Sequence, residues 1–286
     1  MVSRKVLLVI HPTKEEAHLF ATRLASELHK AGFEIYSNGS QLIENVNPLS
    51  SLSDVSDIEI AVVLGGDGTI LRAAELVQGR DIPILGINMG NVGFLAEIDR
   101  PTVEEIVSGI RERRYTGDAR LLLKHSVLRA GQVVHSGWAL NEVTVSRNDA
   151  QMVELFVQID GRPLSRWGCD GVIAATPTGS TASAYSAGGP VIWPEVHAIL
   201  FLPLAAHALF SRPMVISPES EIAIDIESKN SQLSADGMRT FPLELADRIT
   251  ISRESHSVRL VQLDGGGFTD RLVAKFKLPI EGWRGE

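Results

Sequence analysis

At 286 residues with 44% apolar content, the chain is long enough for two domains with real cores. Its net charge of −8 argues against a nucleic acid or an anionic membrane held by bulk charge, while leaving room for a small polyanion at a local site. Cys169 is the sole cysteine, which excludes a disulfide framework and reads as a small packed side chain.

The opening run "RKVLLVI" is too short for a signal-peptide core and is followed by "HPTKEE" rather than a cleavage site. "KVLLVI" (5–10) is continuous and β-branched, the pattern of a strand buried on both faces. "EEAHLFATRLASELHKAG" follows, with Leu19, Phe20, Leu24 and Leu28 at helical spacing and Gly32 as a stop. "FEIYS" predicts a second strand, and the Ser/Asn/Pro-rich stretch 45–57 a loop. "IEIAVVL" (strand), a glycine turn, "TILRAAELVQ" (helix) and "IPILGIN" (strand) continue the alternation to about residue 112. Alternating strand and helix patterns predict a parallel, Rossmann-like sheet covered by helices.

Beyond that point the period changes. "MVELFVQID", "EIAIDIE", "RITISRE" and "SVRLVQLD" all alternate with a period of two, which predicts antiparallel sheet with one buried face. The apolar stretch 196–210 contains Pro203 and is too short to span a bilayer, so a cytoplasmic protein is expected. "FTDRLVAKFKL" (268–278) returns to helical spacing and predicts a final helix packed back on the first domain. The expected division is an α/β domain at 1–115, a β-rich domain at 116–265 and a returning C-terminal segment at 266–286.

"VVLGGDGTIL" (62–71) places Asp67 between Gly66 and Gly68 at a strand-to-helix junction. Such junctions lie at the carboxyl edge of a parallel sheet, where ligands bind. The run is neither G-x-G-x-x-G, since Leu71 stands at the third glycine position, nor a Walker A loop. Three readings compete: a tight turn tolerating positive φ, a helix cap at Asp67, or a phosphate site in which N–H groups near Gly68 and Thr69 point outward beside one carboxylate. "DGVIAATPTGSTASAYSAGGP" (170–190) follows an apolar strand, and its hydroxyls at Thr176, Thr178, Ser180 and Thr181 are either ligand contacts or an ordinary Ser/Thr/Gly loop. In "ALNEVTV" (139–145), Asn141 and Glu142 interrupt a strand-like run. Together they can bind vicinal ribose hydroxyls, provided a strand end or bulge lets neighbours face one ligand. "NMGNVGFL" (88–95) ends on Phe94, either a lid or stacking surface or a buried loop anchor. His207 and Arg212, in "AAHALFSRP", are either phosphate contacts or surface residues.

In order and spacing, "GGDGT" (65–69), "NMGNVGFL", "LNEV" (140–143), "DG" with "TPTGST" (170–181), "SAGGP" (186–190) and "HALFSRP" (207–213) resemble the bacterial NAD kinases. "GGDGT" alone also occurs in diacylglycerol and sphingosine kinases, so a lipid kinase is one alternative and a non-catalytic NAD(P)-binding regulator another. The resemblance implies transfer of the terminal phosphoryl group of ATP, or of polyphosphate in some members, to the 2′-hydroxyl of NAD's adenosine ribose. It also implies Mg2+ or another divalent cation delivered mainly with ATP, with no metal ligands on the chain, and a homotetramer or homodimer. Nucleic acid and membrane are not implied partners. By position, Asp67 matches the catalytic carboxylate. Gly68, Asn141, Glu142, Asp170 and the segment Thr181, Ala182, Ser183, Ala184, Tyr185 and Ser186 match NAD contacts. Arg72 matches a basic position near the phosphates, and Ala205 a lesser contact. Three positions depart from the pattern: Ser183 stands where many members have a stacking Tyr, with Tyr185 two residues on; Gly168 stands at a frequent Arg, with Arg166 nearby; and Met238 stands at a frequent Gln.

Overall fold

The computed structural model describes residues 3–39, 42–90, 93–97, 100–263 and 266–280. The chain forms two compact units, Met1–Ala119 with Val258–Glu286, and Arg120–Ser257.

The first unit opens with β1 (Arg4–Ile10), α1 (Glu15–Lys30), β2 (Phe33–Ser37), β3 (Val46–Pro48), β4 (Ile58–Gly65), α2 (Asp67–Leu76), β5 (Ile84–Asn88) and α3 (Val103–Glu112). Its strands run parallel in the order β5-β4-β1-β2-β3, as the alternating pattern predicts. The central strands β1 and β4 carry buried apolar runs, Val6–Val9 and Ile60–Leu64, with Arg4, Lys5 and Glu59 confined to their starts, as expected for strands covered on both faces. Helix α1 turns Ala17, Ala21, Leu24, Ala25 and Leu28 inward, whereas Leu19, expected on the inner face, is 57% exposed. The three alanines share this buried face with Leu24 and Leu28 in the core of the first unit. The 45–57 loop carries the short β3; Pro48 lacks a ladder donor and is tolerated because β3 lies at the end of the order. A Thr102–Glu105 capping box starts α3.

The second unit is antiparallel and holds most of β6 (Thr116–Arg129), then β7 (Gln132–Ala139), β8 (Glu142–Arg147), β9 (Val153–Ile159), β10 (Arg162–Cys169), β11 (Gly171–Ala175), the short α4 (Ser183–Ser186), β12 (Ile199–Leu204), β13 (Met214–Ile216), β14 (Ile222–Ile226), β15 (Ser231–Ala235), β16 (Arg239–Leu243) and the first part of β17 (Arg248–Gln262), whose residues from Val258 on belong to the first unit. Six strands form a sheet in the order β13-β12-β11-β8-β15-β16, and β10-β9-β14-β17 form a second array. Trp167 and Phe201 pack with ring centroids 6.1 Å apart in a core completed by aliphatic side chains from both arrays. Cys169 is buried there, and burial pushes its thiol up to about 11, the behaviour of a packing residue.

"RITISRE" and "SVRLVQLD" are one strand rather than two, since Ser255–Ser257 contains neither Gly nor Pro to break it. Its first part pairs antiparallel with β14. Leu260 and Val261 then pair parallel with β5, against the antiparallel expectation. Alternation reports a half-buried face, not the direction of the neighbouring strand. The final helix, α5 (Phe268–Phe276), belongs to the first unit as predicted, with Phe268 and Phe276 flanking Phe94 at centroid distances of 6.1 and 5.7 Å.

Candidate active site

The glycines of "GGDGT" are not there for a left-handed turn: none of Gly65, Gly66 and Gly68 has positive φ. Gly65 is required by packing, because a Cβ there would lie 2.3 Å from Thr69 Oγ1. At Gly66 and Gly68 a Cβ would meet nothing within 4 Å, so both leave the junction bare. Gly66 is the N-cap of α2, and Asp67 is the first helical residue without capping the helix through its side chain. The Thr69 N–H, expected to point at a ligand, instead donates to Gly66 O at 2.8 Å, closing the first turn. The N–H groups of Asp67 and Gly68 remain as the two at this terminus with no intrahelical acceptor.

The Asp67 carboxylate reaches across to the loop after β5. Oδ2 accepts the Phe94 N–H at 3.0 Å and Oδ1 the Leu95 N–H at 3.1 Å. Gly93 makes the approach possible, since a Cβ there would sit 2.2 Å from Asp67 Oδ1. Phe94 contributes its backbone to the site; its ring is buried under α5, which favours the anchor over the stacking surface. Asn91 and Val92 lie outside the described residues. Arg72 is exposed on α2. Burial, followed by the charges of Lys14 and Arg72, pushes the His11 imidazole below its usual range. Basic charge therefore collects near the end of β1.

A second cluster lies in the second unit. Asn141 occupies the turn between β7 and β8, and Glu142 is the first residue of β8, so the pair does sit at a strand end. Three backbone N–H groups of this turn, from Leu140, Asn141 and Glu142, all point at the carboxylate of Asp236, which also holds Arg239 Nη2 at 2.6 Å. Sequence reasoning missed Asp236; the signal available was a carboxylate inside "SADGM" in an apolar alternating run. Gly179 packs against the same turn so tightly that a Cβ would lie 2.0 Å from Asn141 O. Glu142 is only 4% exposed, and burial pushes its carboxyl up to about 7 against the opposing hydrogen bond from Ser183. Ser183 Oγ donates to Glu142 Oε1 at 2.7 Å, while Oε2 is buried with no hydrogen-bond partner among the described residues. An orphaned buried carboxylate oxygen is costly unless a ligand completes it.

The hydroxyl-rich loop is mostly scaffold. Thr176 Oγ1 donates to Leu140 O and accepts the Gly179 N–H, Ser180 Oγ donates to Pro177 O and accepts the Ile192 N–H, and Thr181 Oγ1 donates to Thr178 O. These groups are spent on holding the loop rather than offered to a ligand. Ala182 is the N-cap of α4 and Ser183 its first residue; within the helix Ala184 is buried, and Tyr185 and Ser186 are exposed. Asp170 pairs with Arg147 Nε at 2.7 Å, Ala205 stands exposed after β12 with φ of 46°, and His207 and Arg212 are exposed. Of the departures, Arg166 lies over Phe156 and pairs with Glu227, and Met238 is exposed. No group of three or more His, Cys, Asp or Glu side chains among the described residues is placed to hold a metal ion. No helix among them is long and apolar enough to cross a membrane.

Residues 6–115 match the family model of the ATP-NAD kinase N-terminal domain, and residues 140–263 that of the C-terminal domain. The chain belongs to the NAD kinase family. Its activity is therefore that of a phosphotransferase with an alcohol group as acceptor, acting on NAD, and the lipid-kinase and regulator alternatives fall away. An NAD kinase of Thermobifida fusca is 44% identical over 99% of this chain and 92% of its own length. An NAD kinase of Mycobacterium bovis is 43% identical over 99% of both chains. Among solved structures, a yeast NADH kinase complexed with NADH shares the fold with a TM-score of 0.88 at 24% identity, over 99% of this chain and 90% of that one. An NAD kinase from Archaeoglobus fulgidus in complex with ATP gives 0.71 at 26% identity, over 96% of this chain and 98% of that one.

Proposed function

We propose that the enzyme transfers the terminal phosphoryl group of ATP to the 2′-hydroxyl of the adenosine ribose of NAD, with Asp67 directing that hydroxyl. The observation that carries this reading is a carboxylate tied down by two loop amides beside a glycine-lined helix N-terminus with open space at Gly66 and Gly68. The two tethering bonds leave lone pairs on both oxygens, so Asp67 can still accept from a sugar hydroxyl. The 2′-oxygen attacks the terminal phosphorus, the bond to the ADP oxygen breaks, and the hydroxyl proton passes towards Asp67. Phosphoryl transfer relies on positioning and charge stabilisation more than on covalent work by the protein. The N–H groups of Asp67 and Gly68 and the Arg72 guanidinium oppose the negative charge of the transferring group. Mg2+, or another divalent cation, enters with the ATP phosphates as part of the substrate.

Asn141 and Glu142 hold ribose hydroxyls of NAD, with Glu142 Oε2 as the acceptor left over by the fold. Tyr185, exposed on α4, supplies an aromatic face where Ser183 gives none. Gly68, Asp170, Thr181, Ala182, Ala184, Ser186 and Ala205 are proposed backbone or edge contacts, and Phe94 contributes through its main chain. Polyphosphate as a second donor, a homotetrameric or homodimeric assembly and a cytoplasmic location belong to the same proposal and rest on the family resemblance. Incubation with NAD, ATP and Mg2+ should yield a product that a dehydrogenase specific for 2′-phosphorylated NAD accepts, and 2′-deoxyadenosyl NAD should remain unphosphorylated. Phosphorylation of the 2′-deoxy analogue would contradict the assigned acceptor.

A further inference from the structure

Arg271, on the inner face of α5, is 2% exposed, an unusual environment for a guanidinium. Its Nη1 donates to Phe94 O at 3.0 Å, and its Nε finds no acceptor among the described residues. Burial pushes its pKa down, while the carboxylates of Glu97, Asp67 and Asp118, in that order, hold it up. The peptide group between Phe94 and Leu95 thus stands between two charges. Its C=O faces the Arg271 guanidinium, and its N–H donates to Asp67 Oδ1 at 3.1 Å. A cation drawing on the carbonyl polarises the peptide and strengthens the N–H as a donor, and this cooperativity is greatest in a low-dielectric interior. The neighbouring Phe94 N–H holds Oδ2, so the same short turn fixes both oxygens. Phe268 and Phe276 clamp the Phe94 ring from either side of this contact, which fixes the turn's place on α5. An apolar residue at position 271 would fill the space with no desolvation cost but would leave the Phe94 carbonyl buried without this donor.

We propose that Arg271 is a positioning residue of the phosphoryl-transfer centre, acting on Asp67 through the Phe94–Leu95 peptide group. The inference rests on the reading that Asp67 directs the acceptor hydroxyl. Arg271 touches no substrate; it sets the direction and rigidity of the carboxylate that does. A displacement of this kind costs turnover rather than ground-state binding.

The test uses the full chain with Arg271→Gln and Arg271→Lys, measuring kcat, KM for NAD and for ATP, and amide hydrogen exchange at Phe94 and Leu95. Arg271→Gln should lower kcat by about 100-fold, leave KM for NAD within about 3-fold, and speed exchange at those two amides. Arg271→Lys keeps a charged donor and should recover part of kcat, falling between Arg271→Gln and the parent enzyme. Parent-level kcat in folded Arg271→Gln, or a loss confined to KM, would overturn the proposal. If Arg271→Gln does not fold, Arg271→Lys decides: its shorter ammonium must lower kcat by at least about 3-fold with KM retained, and an unchanged kcat overturns the proposal. Asp67→Asn is run alongside. Near-normal turnover there would sink the underlying reading, whereas an inactive Asp67→Asn beside a fully active Arg271→Gln sinks only the role of Arg271.

Discussion

Glu142 sits where stability and function pull in opposite directions. Its carboxyl, ordinarily near 4.5, stands at about 7 because it is buried, with Asp236 adding like charge. Below pH 4.5 both folded and unfolded chains hold the proton, so Glu142 costs nothing; between pH 4.5 and about 7 the unfolded chain ionises first and the cost grows; above about 7 it is constant. Glu142→Gln should therefore match the parent protein in stability at pH 4 and exceed it above pH 7 by on the order of 3 kcal/mol, measured by denaturant unfolding at each pH. A pH-independent difference would show that the carboxyl does not titrate as argued. In the proposed NAD site the cost is offset on binding, because an ionised Oε2 would make a charge-assisted bond to a ribose hydroxyl that an amide cannot match. The place of Asn141 and Glu142 at a strand end was legible in the sequence. Asp236 was not, because its importance comes from three N–H groups converging on it from 94 to 96 residues away.

At the scale of elements, both clusters are turns held by something distant in sequence. The β4–α2 junction could be read directly, since a buried strand followed by glycines and a helical pattern has few alternatives. What the pattern could not give was the use of each glycine: Gly65 makes room for Thr69 within the same junction, whereas Gly93 for Asp67 and Gly179 for Asn141 are close approaches between segments distant in sequence. The hydroxyls of Thr176 and Ser180 were open to two readings for the same reason, as nothing local tells whether a hydroxyl in such a loop bonds a ligand or its own backbone; both bond backbone. Gly179→Ala tests the second turn. The three atoms nearest its Cβ would all be main-chain atoms of Asn141, which cannot swing aside, so the turn must move. The expected outcome is a loss of about 1–3 kcal/mol in stability and a rise in KM for NAD of about 10-fold or more, read from unfolding curves and steady-state kinetics. A parent-level KM would contradict the assignment of that turn to NAD.

For the whole molecule, the change of period from 3.6 to 2 was enough to give an α/β part and a β-rich part, because each architecture buries its faces differently. The long β17 escaped that reading: its alternation is uniform, while its partners change from antiparallel β14 to parallel β5. The acidic balance of the chain also fits an enzyme whose anionic substrates are held by a few local N–H groups and arginines rather than by a broad basic surface. In the proposed mechanism Asp67, fixed by the Phe94 and Leu95 amides, directs the acceptor hydroxyl. Asp67→Asn tests it most directly, with single-turnover NADP+ formation and calorimetric NAD affinity measured on the same preparation. A fall in turnover of about three orders of magnitude or more, with NAD affinity retained, is the predicted result; turnover within about 10-fold of the parent enzyme would contradict it.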